Sequence, residues 1–80
     1  MKRDKESLYV EELKLKRLRF IVDLTAALIW QSNLTLLDAQ KLVNGARVRA
    51  LELFPEKGET FDLIYGARFH RILVDRYRLQ

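Results

Sequence analysis

The 80-residue chain contains no cysteine, one proline, one histidine and three isolated glycines. Without cysteine there is no disulfide framework and no thiolate metal site, a composition compatible with a reducing compartment. With His70 as the lone imidazole, a His/Cys metal cluster is ruled out. Gly45, Gly58 and Gly66 stand apart from one another, so there is no glycine-rich phosphate loop. The longest apolar-rich block, Phe20 to Trp30, is broken by Asp23 and Thr25. It falls short of the about 20 residues that a bilayer span requires. The mixed charges up to Arg19 do not read as a secretory leader. These absences predict a cytoplasmic protein with no membrane segment, no metal and no cofactor.

Charge of one sign is also scarce. The net charge of +4 arises from 15 basic and 11 acidic groups, mixed throughout, with the excess at the two ends. A dedicated nucleic-acid binder shows a stronger and more segregated bias. An apolar fraction of 49% argues against disorder. A chain this short makes one domain, and with no disulfide or metal to help, oligomerisation is the usual route to a sufficient core.

What is present is helical periodicity. Ser7 to Ser32 is free of glycine and proline, and at about 100° per residue its apolar side chains fall in two stripes. One collects Tyr9, Val10, Leu13, Phe20, Ile21, Leu24, Ala27 and Leu28, and is taken as the face turned to the fold. The other, beyond Lys14 and Thr25, collects Leu15, Leu18, Val22 and Ile29, with Leu8 in the same heptad series. A three-helix fold needs one such stripe per helix. Burying a Leu, Val or Ile is worth roughly 1.5–3 kcal/mol, so leaving Leu8, Leu15, Leu18, Val22 and Ile29 in water would forgo roughly 8–15 kcal/mol. That matches the whole net stability of a domain this size, about 4–12 kcal/mol. A helix of this length, about 39 Å, also overhangs a globule about 30 Å across. These five residues are therefore expected to form a homodimer interface. The alternative is that the other two helices straddle the first and fill both stripes.

The expected architecture is all-α, with three antiparallel helices over about residues 5–32, 36–53 and 61–78 completed by dimerisation. Residues 1–6 form a charged, frayed leader with Asp4 as the first cap. Thr35 followed by Asp38 resembles a capping box opening the second helix. Its apolar arc holds Leu36, Ala39, Leu42, Val43, Ala46, Ala50, Leu53 and Phe54, with Gly45 opposite. Pro55 ends that helix, and Thr60 is the expected cap of the third. The third helix carries a narrow polar strip of Arg68, Arg71, Asp75 and Arg78, interrupted by Ile64, and is otherwise so apolar that burial on several sides is expected.

Three functional classes follow. The first is a non-catalytic helical interaction or assembly module acting as a homodimer, with Trp30 either an interface anchor or folded under the turn. The second is a basic dimer contacting DNA or RNA phosphates through Lys16, Arg19, Arg68, Arg71 and Arg78. Against it stand a five-residue connector, longer than a helix-turn-helix turn, and a third helix with little polar surface. The third is a small dimeric enzyme or anion-binding protein using Arg17, the one charge inside the first stripe, to meet an acidic ligand. The ordinary role of Arg17 is a pair with a neighbouring carboxylate or a reach to solvent. Asp23 is placed to pair with Arg19 one turn away, and His70, on the apolar arc of its helix, is expected as a boundary or core imidazole hydrogen-bonded to a neighbour. No residue is assigned a catalytic role, and no enzyme activity is expected.

Overall fold

No glycine or proline interrupts the chain before Ser32, and the first helix uses that stretch from Lys2 onward. The computed structural model describes residues 2–78, with side chains from Glu6 to Arg78. Helix α1 covers Lys2–Gln31, so the charged leader is helical from Lys2 and Asp4 lies inside the helix instead of capping it. Lys, Arg and Glu are good helix formers, and nothing in the leader stops propagation toward the N-terminus. Helix α2 covers Leu36–Leu53. Its cap is Thr35, whose hydroxyl oxygen accepts a hydrogen bond from the Asp38 N–H at 3.1 Å. Helix α3 runs without a break through Gly58–Phe61, a wider π-type stretch at Asp62–Gly66, and Ala67–Tyr77. It starts before Thr60, because the turn at Pro55 and Glu56 closes through a bond from the Lys57 N–H to the Phe54 carbonyl, 3.1 Å. The fold is all-α with three helices.

The short connections reverse the chain twice, so α3 returns beside α1 in the direction of α1. Arg68 meets Asp23 in the C-terminal third of α1. Further along, the Tyr77 hydroxyl donates to the Leu34 carbonyl at 2.8 Å, tying the end of α3 to the α1–α2 turn. The molecule measures 51 × 22 × 16 Å with a radius of gyration of 14.6 Å, against about 12 Å for a compact chain of this length. The elongation comes from α1, about 45 Å long, which outreaches both neighbours. Every side chain from Glu6 to Leu13 is exposed.

The core joins Leu18, Val22, Ala26 and Ile29 of α1 to Ala39, Ala46 and Ala50 of α2 and to Phe61, Phe69, Ile72 and Leu73 of α3. The alanine row on α2 lets the helix axes come close, while the two phenylalanines fill the remaining space. Thr25 lies among these residues and satisfies its hydroxyl on the Ile21 carbonyl, 2.8 Å.

This packing exchanges the two stripes of α1. Val22 and Ile29 are 1% and 0% exposed within a single chain, and Leu18 is buried beside them. These three residues are core and cannot form the partner face to which their spacing assigned them. Of the expected interface set, Leu8 and Leu15 stay exposed. Aliphatic and small side chains at positions 18, 22, 26 and 29 mesh with the alanine row, which the bulkier Tyr9, Phe20 and Leu24 face does not.

The π-type stretch has a similar effect on α3. Phe61 and Phe69 are eight residues apart in sequence, about 80° out of phase on a regular helix. One residue accommodated in the wide turn restores the phase, and both rings are buried. The same shift turns Leu63 and Ile64 out to solvent, so α3 is not enclosed on several sides as its composition implied.

Candidate functional site

With one stripe of α1 used for the core, the other is left open. Tyr9, Val10, Leu13, Phe20, Leu24 and Leu28 are all exposed, Phe20 by 65%. Val10, Leu13, Arg17, Phe20, Leu24 and Ala27 follow alternating steps of three and four residues, the a and d spacing that presents a straight seam to a second helix. The sequence pattern alone assigns these residues to the core. The signal that marks them as surface is Arg17, a charge in the middle of the stripe. It is exposed, so it neither is buried nor needs a carboxylate to offset burial.

The neighbouring helices border the seam. On the α2 side, Val10, Leu13, Lys14, Arg17 and Leu53 surround a shallow depression of about 390 Å³. There the Lys14 ammonium sits 5.8 Å from the centre of the Phe54 ring, within cation–π range. On the α3 side, Asp23 pairs with Arg68 at 3.3 Å, bridging two helices in place of the expected bond to Arg19. Trp30 stands on that flank, 49% exposed, at heptad spacing from Tyr9, Lys16 and Asp23. It is not folded away under the turn. A second depression, about 380 Å³, lies beneath the overhang of α1, and Leu15 opens into it beside Phe54, Phe61, Ile64 and Tyr65.

The cations proposed for phosphate contact are only partly free. Lys16, Arg19, Arg71 and Arg78 are exposed, whereas Arg68 is engaged by Asp23. Arg78 adopts the left-handed conformation, φ 54°, that ends α3. The α2–α3 connector, residues 54–57, is four residues long instead of five, so its length no longer counts against a helix-turn-helix. The start of α3, however, presents exposed Glu59, a charge that repels phosphate. Asp62 accepts two bonds from the Arg47 guanidinium, at 2.8 and 3.1 Å. That hydrogen-bonded pairing holds its carboxyl below, and the Arg47 guanidinium above, their ordinary ranges.

Little in the remaining surface points to chemistry. His70 is exposed, and not at the boundary or core position expected for it. Among the described residues no group of His, Cys, Asp or Glu could hold a metal ion, and no helix is long and apolar enough to cross a membrane. No buried side-chain polar atom among them lacks a hydrogen-bond partner, so none is left aimed at a missing ligand. Comparison with protein-family models, with curated proteins and with solved structures found no match to this chain.

Proposed function

We propose that this chain is a non-catalytic assembly module that forms a homodimer through the exposed stripe of α1. The observation that carries this reading is the seam itself, six large apolar side chains left exposed along one face of the long helix, four of them at a and d spacing, with the opposite face already satisfied by the core. Each of them keeps about half its surface in water, so enclosing it is worth on the order of 1 kcal/mol. Two copies together contribute on the order of 10 kcal/mol, comparable with the about 4–15 kcal/mol lost in rigid-body freedom on association. The two terms are of similar size, so the self-association proposed is of moderate, concentration-dependent affinity. A chain without cysteine suits the cytoplasm, where disulfides would not persist.

Light scattering at micromolar concentration tests the proposal. The expected mass is near twice 9.5 kDa, returning to the single-chain value, with helicity retained, in the Phe20→Glu/Leu24→Glu variant. A folded single chain for the unaltered protein at all accessible concentrations contradicts it.

A further inference from the structure

We infer that the two copies pair α1 against α1 in antiparallel fashion, about a two-fold axis at the height of Leu18 and Arg19. This rests on the homodimer proposed above and adds its direction and register. A parallel, in-register pair would set Arg17 against Arg17 of the second copy, two like charges in the middle of an apolar seam. Antiparallel pairing sets each a residue against a d residue. About the stated axis Arg17 faces Phe20 of the second copy, Leu13 faces Leu24, and Val10 faces Ala27. A guanidinium over the Phe20 ring is a favourable cation–π contact, so the one charge in the seam has a partner within the seam.

The flank beside α3 fixes the register. It carries Tyr9, Lys16, Asp23 and Trp30 at successive heptad positions, and the same rotation brings Lys16 to Asp23 of the second copy and Tyr9 to Trp30. Sliding the pair by one heptad step in either direction sets Lys16 against Lys16 or Asp23 against Asp23. Asp23 remains available although it already meets Arg68, because its side chain is 68% exposed and a carboxylate accepts from two cations. On the α2 flank Lys14 is turned onto Phe54, leaving Leu28 as apolar cover. In this arrangement the overhanging start of α1, exposed from Glu6 to Leu13, lies along the C-terminal half of the second copy's α1, whose far side is closed by its own bundle.

The absence of native cysteine makes a direct test available. Leu13 and Leu24 are about 16 Å apart along one helix, too far for a disulfide within a chain. Under mild oxidation the Leu13→Cys/Leu24→Cys variant is expected to give a covalent dimer. Leu24→Cys alone is expected to stay uncrosslinked, since its two copies would also lie about 16 Å apart. Crosslinking of the single variant, or none in the double variant while light scattering still reports a dimer, overturns the antiparallel register and leaves homodimerisation standing. A single-chain mass for the unaltered protein overturns both. Charge exchange supplies a second readout. Lys16→Glu and Asp23→Lys should each weaken self-association by roughly tenfold, and an equimolar mixture of the two should recover dimer, because each mixed contact is again of opposite sign. A mixture no tighter than its components contradicts the register.

Discussion

At the scale of single residues, Arg17 distinguishes the two sides of α1. A guanidinium is tolerated there because that side faces outward, and the same position in the core would demand a buried counter-ion. Gly45 is another position where one residue is informative. Nothing lies within 4 Å of the place its missing Cβ would take, and it sits inside α2 without a positive φ. Gly45→Ala should therefore stabilise the chain by about 1 kcal/mol, seen as a raised midpoint in urea. A loss of stability would mean that something approaches the backbone there. The Asp62–Arg47 pair gives a pH dependence with a definite sign. A carboxyl whose pKa is lower in the folded than in the unfolded chain adds stability above its unfolded value, and that stability is lost as pH falls through the folded value. Stability should thus fall on acidification through and below the ordinary carboxylate range, and fall less steeply in Asp62→Asn. The two side chains are 41% and 52% exposed, so the difference is small, and an unchanged slope would show that the pair carries none of it.

At the scale of elements, α2 was the most legible. Its bounds, its Thr35 cap and its termination before Pro55 all follow from local chemistry that the tertiary structure does not override. Helix α1 was legible as two stripes, but not as to which stripe faces inward. Both faces are apolar, and the choice depends on the neighbour. The alanine row of Ala39, Ala46 and Ala50 favours the slimmer Val22, Ala26 and Ile29 face. A regular 3.6-residue turn spreads the apolar residues of α3 over most of its circumference, whereas the wide turn at Asp62–Gly66 rotates Leu63 and Ile64 away from the core. The lone charge in the first stripe and the small residues on α2, considered together, are the cues that would have assigned the faces of α1. Paired substitutions separate the roles. Ile29→Ala should cost about 2–5 kcal/mol of folding stability through the cavity it leaves. Phe20→Ala should leave the fold of the single chain intact and weaken association. Equal losses of folding stability in the two variants would mean that both stripes are core.

At the scale of the whole molecule, the departure from a compact shape and the open seam lie on the same helix. Helix α1 is longer than the bundle it belongs to, and the excess is apolar on the side the bundle does not reach. Dimerisation would cover the overhang and the seam together, and no other described feature accounts for both. Sedimentation equilibrium of the unaltered protein over a wide concentration range tests this most directly. The account predicts a mass that rises with concentration to twice 9.5 kDa, with Phe20→Glu/Leu24→Glu held at the single-chain value while remaining helical. A folded, monomeric unaltered chain throughout that range would contradict it.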